Sequence, residues 1–407
     1  IKSTVILGIM MSNDLPQAIA EQALRQGFSG SYLPAQVQFL LRQTTLTPTV
    51  VDEKERLIQS GQKHYSQMIG QEMPPSAEHL RLYDRAMSDG ARRYACEVAQ
   101  LANRLGQIYT DTKPIVLVSF VRAGVPLGVL LNDALHDLGR DCVHYGISII
   151  RDKGIDFAGL ACIIAKHGVD NIVFVDGWTG KGAIKAQLMA SLGDDKRFAP
   201  LLARHGDLPL VTLADVAGCA WLSASFEDWL IPSGILGSTI SGLISRSILQ
   251  TAPLSAMQID STNCTVWHSC VYYTHLAVHD VSQSFVATIN ELRRKMAKQA
   301  GGMANLGCAE NLDKQTQSAR HARVQALISD LAYHYQIDDI NRIKPGIAEA
   351  TRAILRRVPK LVLLQERAHP STALLRHLAQ KTHTPVQVVG TSIAPYHAIT
   401  FIDKLGA

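Results

Sequence analysis

No stretch of the 407 residues approaches the ~20 consecutive uncharged apolar positions that a membrane-spanning helix needs. The opening IKSTVILGIMM has too short an apolar run and no small-residue cleavage site, so no signal peptide is expected. Met10 or Met11 is the expected natural start, and the expected compartment is the cytoplasm, away from any membrane. Cysteine is scarce and unpatterned. The seven thiols, Cys96, Cys142, Cys162, Cys219, Cys264, Cys270 and Cys308, are odd in number, widely spaced and form no CxxC. That argues against a disulfide framework or a zinc knuckle and leaves them as small buried apolar residues. Charge is sparse too, at 18% of residues against 47% hydrophobic, the balance of a globular chain with real cores.

The charge that is present is unevenly placed. The net charge is +5, yet residues 320–407 hold 12 Lys and Arg against 6 Asp and Glu, leaving 28 against 29 elsewhere. The basic excess therefore lies in the C-terminal segment. It suggests an acidic partner such as nucleic acid, with a solvated basic face as the alternative.

Residues 1–28 read as a weakly ordered tail, and residues 29 to about 105 as mainly helical, QVQFLLRQ and ARRYACEVAQLANRL included. From Lys113 the period changes. PIVLVSF, CVHYGISII and NIVFV read as buried strands, alternating with the helical GVLLNDALHDLG and LACIIAKHG. Such alternation predicts a mostly parallel sheet, whose ligands bind at the carboxyl ends of the strands. Three loops, at 121–126, 151–156 and 176–182, fall at such ends. The first domain is expected over 29–295 and a linker over 296–318, where the composition is polar and glycine-containing. A smaller helix–strand alternation over 319–407 closes the chain. No internal repeat is present.

The chemistry concentrates in NIVFVDGWTGKGAIKAQL, residues 171–188: an apolar strand, an aspartate, a glycine-rich turn and a helical pattern. A helix N-terminus offers unpaired N–H groups and the positive end of its dipole. Gly177, Gly180 and Gly182 would let the backbone approach a phosphate, Thr179 adds a hydroxyl and Lys181 a charge. Asp176 is placed to accept from ribose hydroxyls or to hold a hydrated Mg²⁺. The spacing excludes a Walker loop, which needs GxxxxGK[ST], and a dinucleotide loop, which needs GxGxxG. An ordinary strand-to-helix turn is the remaining alternative.

This stretch resembles the phosphoribosyl-pyrophosphate (PRPP) loop of type I phosphoribosyltransferases, with Gly177 where that family carries a second acid and a loop about two residues short. IVLVSFVRAGVPLG, from Ile115, resembles the pyrophosphate loop of the same enzymes, and SIIRDKGID, from Ser148, their basic flexible loop. The resemblance implies an α/β, type I phosphoribosyltransferase-like parallel sheet with a helical N-terminal part. It implies that Arg122, Ala123 and Gly124 wrap diphosphate, that Arg151 and Lys153 close over it, and that the loop from Gly177 through Trp178, Thr179, Gly180 and Lys181 to Gly182 cradles the 5′-phosphate. Clamping a departing diphosphate with Mg²⁺ and cations would stabilise an oxocarbenium-like state.

FSGSYLPAQVQFLL, KERLIQSGQKHYSQM, VDGWTGKGAI and DWLIPSGILGSTISGLISRS together resemble the phosphoribosyltransferase-like proteins of bacterial tellurite-resistance gene clusters, the StiP family, also described as cysteine proteases. The likeness covers most of residues 28–290 and implies a PRPP-dependent transferase acting on an unknown base. Ser233, Ser238, Thr239 and Arg246, with Asp215, would line the acceptor pocket or, equally, a close packing surface. The protease description meets a weak motif: Cys264 and Cys270 flank His268, with His275 and His279 following, but no CGxCW-like or QACxG signature exists. HLAVH lacks the Glu of HExxH.

The segment from Lys344 to Val389 resembles the Pelota-type RNA-binding fold, a small α/β sandwich. Gly346, Glu349, Thr351 and Arg352 match its GxxExT[KR], with Ala348 in place of the usual Asn. The resemblance implies RNA contacts from these residues and from Lys344 and Arg356, with phosphate contacts making binding salt-dependent. The expectation is a Mg²⁺/PRPP-dependent phosphoribosyltransferase with an RNA-binding C-terminal domain. A non-catalytic ribose-phosphate and RNA-binding regulator and a cysteine protease are the alternatives.

Overall fold

The computed structural model describes residues 17–249, 268–309 and 313–404. Strands β1 (Gln38–Phe39), β2 (Ile115–Phe120), β3 (Cys142–Ile147), β4 (Ile172–Thr179), β5 (Leu210–Asp215) and β6 (Leu222–Ser225) form a six-stranded sheet. Its spatial order is β1–β3–β2–β4–β5–β6, and every pairing is parallel. IVLVSF in β2 is buried at every position, as a central strand covered by helices on both faces must be. The covering helices include α1 (Ala77–Ile108), α2 (Val125–Asp137), α3 (Phe157–His167), α4 (Ala183–Leu192) and α5 (Ser282–Gln299). Ser76 caps α1 by accepting from the His79 amide at 3.2 Å, and Asp156 caps α3 by accepting from Gly159 at 3.1 Å.

Two readings of period differ from the sequence expectation. QVQFLLRQ is not helical; it supplies the edge strand β1 and a short pairing of Arg42–Gln43 with Ser269–Cys270. Its apolar residues alternate. Val37, Phe39 and Leu41 enter the core on one face of the sheet and Leu40 the core on the other. Second, β4 continues past NIVFV, so Asp176, Trp178 and Thr179 pair with Thr212, Ala214 and Asp215. Gly177 permits this, because a Cβ there would stand 2.8 Å from the Ala123 carbonyl oxygen. The glycine turn shrinks to Gly180, Lys181 and Gly182.

Helix α6 (Lys314–His334) begins inside the stretch read as linker, capped by Asp313, which accepts from Thr316 at 2.9 Å. The C-terminal part then runs β7 (Ile343–Pro345), α7 (Ile347–Arg356), β8 (Pro359–Leu364), α8 (Ala373–Lys381), β9 (Val386–Val388) and β10 (Ala398–Ile402). Its mixed sheet has the order β7–β10–β8–β9. Helix α7 buries Ile347, Ala350 and Ile354 in the same apolar core as Trp229, Ile231 and Ile235, while Val324, Ile328 and Leu331 of α6 share a core with Val216 and Ala217. Asp228, itself buried, ties the two parts. One carboxylate oxygen accepts from the Ile347 amide at 2.9 Å, the other from the His397 amide at 2.8 Å. Among the described residues no helix is long and apolar enough to cross a membrane.

Asp228→Ala leaves the buried Ile347 amide and the partly buried His397 amide unpaired at this junction. It is expected to lower the unfolding free energy by about 2–4 kcal/mol, read from urea denaturation. An unchanged midpoint would show that the junction is held by apolar contact alone.

Candidate functional site

The carboxyl end of β2 reaches a ligand-sized space through Arg122, and the C-terminal part forms its other wall; neither residues 176–182 nor Asp215 line it. A cavity of about 590 Å³ is lined by Arg122, Thr239 and Arg246 from the larger part and by Arg352 and Arg356 from α7. Arg122, 5% exposed, bonds the Glu72 carboxylate at 2.9 Å and donates to the Ile244 carbonyl at 3.0 Å. Arg246 donates to the carbonyls of Tyr65, Met68 and Ser247 and lies 5.2 Å from the Tyr65 ring centroid. Arg352 lies 4.5 Å over the Trp178 ring. The structure therefore unites residues expected at a diphosphate loop, at an acceptor pocket and on an RNA surface.

The glycine turn itself is covered. A Cβ on Gly180 would lie 2.6 Å from a carboxylate oxygen of Glu349, and the Gly180 carbonyl accepts from the Tyr396 hydroxyl at 2.7 Å. Lys181 donates to the Ile340 carbonyl at 2.5 Å, and its own carbonyl accepts from Gln325 at 3.0 Å. The Thr179 hydroxyl donates to Asp215 at 2.5 Å and accepts from the Ala217 amide at 3.1 Å. The groups expected to cradle a phosphate thus serve the chain's own packing. Gly124, N-terminal to α2, is packed so closely that a Cβ would meet the Val175 carbonyl oxygen at 2.2 Å, with Ala123 beside Gly177.

Asp176 is buried and accepts from the Gly177 amide at 2.8 Å. Burial pushes its carboxyl up to about 7, against the pull of that amide and of Arg352. Among the described residues no group of three or more His, Cys, Asp or Glu side chains is arranged to hold a metal ion. Arg151 is anchored rather than free: it donates to the Asn341 side chain at 2.9 Å, and its amide donates to the Tyr65 hydroxyl at 3.0 Å. Lys153 is exposed and lies outside the cavity.

The remaining pocket candidates separate. Asp215 is wholly buried and also accepts from the amides of Cys219 and Ala220, at 3.0 and 2.9 Å, so it organises the turn after β5. Ser233 meets the Tyr94 hydroxyl at 3.3 Å, and the Ser238 amide donates to Glu72 at 2.5 Å. Both lie in short 3₁₀ turns, not in a helix. On the C-terminal side, Gly346 and Thr351 are buried, and burial pushes the Lys344 ammonium down to about 7. This face packs toward the parallel sheet, leaving Lys344, Glu349, Arg352 and Arg356 only partly exposed.

The cysteine candidates are rearranged as well. Cys270 is fully buried, and burial pushes its thiol up to about 12. His268 is occupied by Ser148 at 2.7 Å, His275 is exposed, and Cys264 lies outside the described residues. Cys219 was not singled out, yet it is the thiol at the carboxyl edge of the sheet. A Cβ on Gly182 would lie 3.3 Å from the Cys219 sulfur and 3.2 Å from Cε1 of His321 on α6. The His321 Nδ1 lies 3.1 Å from the Ala217 carbonyl, an acceptor only, so Nδ1 carries the proton and Nε2 is left basic. Burial, with Asp215, pushes the Cys219 thiol well up. No local spacing announces this pair, because the residues stand about a hundred positions apart in the sequence.

The family model described as tellurite-like stress resistance cysteine protease StiP matches residues 30–290, and the PELOTA RNA binding domain matches residues 322–404. The cysteine protease StiP of Acinetobacter baylyi (strain ATCC 33305 / BD413 / ADP1) is 60% identical over 386 residues, covering 95% of this chain and 97% of that protein. No solved structure matches the chain. The likenesses to the StiP family and to the Pelota domain are thereby shown. The phosphoribosyltransferase expectation is overturned, since the family description and the relative's name are both those of a cysteine protease. The chain belongs to the StiP family of tellurite-like stress resistance proteins and carries a Pelota RNA-binding domain at its C-terminal end.

Proposed function

We propose that this chain is a cysteine peptidase of a tellurite-like stress response, with Cys219 as nucleophile and His321 as its base. The observation that carries the assignment is that the thiol and the imidazole edge border the same glycine, Gly182, at the carboxyl end of the parallel sheet. The relative's name supports the class of activity. A thiol kept protonated at rest needs a base, and the Nδ1–Ala217 contact orients the imidazole with Nε2 free for that task. In the reaction the Cys219 proton passes to Nε2 and the sulfur attacks the scissile carbonyl. The C–N bond breaks as the leaving amine takes that proton, and water then hydrolyses the thioester. The sheet architecture is proposed to remain phosphoribosyltransferase-like without the transferase chemistry.

A second reading has its own observation. Each described cysteine with a shifted thiol, Cys96, Cys142, Cys219 and Cys270, is pushed up, not down. That favours a non-catalytic RNA-binding regulator whose Pelota surface is held against the sheet.

The readings separate on activity. Peptidase activity on unfolded protein is expected to fall by about 10³-fold or more in Cys219→Ala and in His321→Ala, and to persist in Cys270→Ala. Loss with Cys264→Ala but not Cys219→Ala would move the nucleophile. RNA binding is expected to strengthen in Asp228→Ala, because loosening the junction uncovers α7, and to weaken with added salt. Equal RNA affinity of the two proteins, by fluorescence anisotropy, would show that the docked face does not bind RNA.

A further inference from the structure

Among the described residues, the cavity between the two parts is lined by more cations than anions. Four guanidinium groups, those of Arg122, Arg246, Arg352 and Arg356, line it together with the ammonium groups of Lys54 and Lys381. Among the described residues the lining holds one acidic side chain, Glu72. Glu72 is already committed: one oxygen accepts from the Ser238 amide at 2.5 Å, and the other meets Arg122 at 2.9 Å. Lys54 donates to the Arg356 backbone carbonyl at 2.9 Å, not to an acid. The Nε atoms of Arg122 and Arg352 are buried without a hydrogen-bond partner, and Arg122 is only 5% exposed. Burial and mutual repulsion push Arg352 down to about 9 and Arg356 down to about 10. Mutually repelling cations held in a partly desolvated space are costly unless an anion joins them.

We propose that this cavity binds a small molecule carrying at least two phosphate groups, held jointly by Arg122 and Arg246 from the larger part and by Arg352 and Arg356 from α7. The arginines are oriented in advance. Glu72 and the Ile244 carbonyl fix Arg122; the carbonyls of Tyr65, Met68 and Ser247 fix Arg246; the Trp178 ring supports Arg352. Guanidinium forks match pairs of phosphate oxygens, and prior orientation lowers the entropy cost of binding. A phosphate presents more acceptor oxygens than a carboxylate, which suits four donors converging on one space. The volume of about 590 Å³ is that of a small-molecule pocket, whereas an RNA strand needs an open groove. Because the arginines come from both sides of the junction, the ligand would also fasten α7 to the sheet. The site is separate from Cys219, which does not line this cavity, so it stands or falls independently of the peptidase reading.

The test uses the full chain at physiological ionic strength, with calorimetry and thermal melting. The probes are inorganic pyrophosphate, a nucleoside triphosphate, inorganic sulfate and a single-stranded RNA oligonucleotide. Pyrophosphate or the triphosphate is expected to bind and to raise the melting temperature, sulfate much less; which of the two binds tighter tells free from nucleotide-borne phosphate. Arg356→Gln and, separately, Arg352→Gln are expected to weaken that binding about 10- to 100-fold, the loss of a charge-assisted hydrogen bond. Ligand-free Arg356→Gln is expected to melt no lower than the parent, since it removes a repelled cation; a purely structural arginine would lower it. The proposal is overturned by no binding of either phosphate compound to the parent, by undiminished binding in both variants, or by RNA that binds tighter and displaces pyrophosphate.

Discussion

The carboxylate of Asp228 holds the first turn of α7 against the sheet, and the disposition of both candidate sites follows from that contact. Its two oxygens take the amides of Ile347 and His397, one from each end of the C-terminal unit. Gly346 has φ of +87° just before the helix, a conformation that glycine adopts without strain and that turns the chain toward Asp228. With α7 in place, its apolar side joins the core of the larger part and its basic side faces the strand ends. A parallel sheet presents its functional loops at one edge. Here that edge is capped by a domain of the same chain.

Capping changes the meaning of charge. The basic excess of residues 320–407 suggests an outward nucleic-acid surface. In the structure Arg352 and Arg356 face inward across a cavity toward Arg122, and Lys344 is desolvated beside Glu349. Glu349 in turn occupies the space over Gly180 that a ligand phosphate was expected to take. Anion-seeking and anion-bearing elements of one chain thus satisfy part of each other. What is left over, an excess of guanidinium around one committed carboxylate, is concentrated in a single enclosed volume.

The proposed cysteine chemistry draws on the same junction. Cys219 follows β5, on a turn organised by Asp215 and Thr179, while His321 arrives on α6 from the far side of the chain. Neither residue is distinctive alone, and Asp215 raises the thiol instead of lowering it. In the proposed reaction the base is His321, whose Nδ1 faces the Ala217 carbonyl.

Local patterning alone determined much of this molecule. Unbroken apolar runs in IVLVSF and NIVFV could only be buried parallel strands, and glycine and aspartate punctuation placed the helices between them. The family likenesses over residues 28–290 and 344–389 were also written in contiguous motifs. The short run QVQFLLRQ misled because two-residue alternation and helical spacing overlap in so few positions. Only the tertiary structure decided the rest. That VDGWTGKG is strand through Thr179, that Lys181 is spent on the Ile340 carbonyl, and that Arg122 and Arg356 share a cavity are facts of docking between segments far apart in sequence. Sequence spacing specifies which groups an element carries. Which of them remain free for a ligand depends on what packs against that element, and here the partner is encoded some 170 residues away.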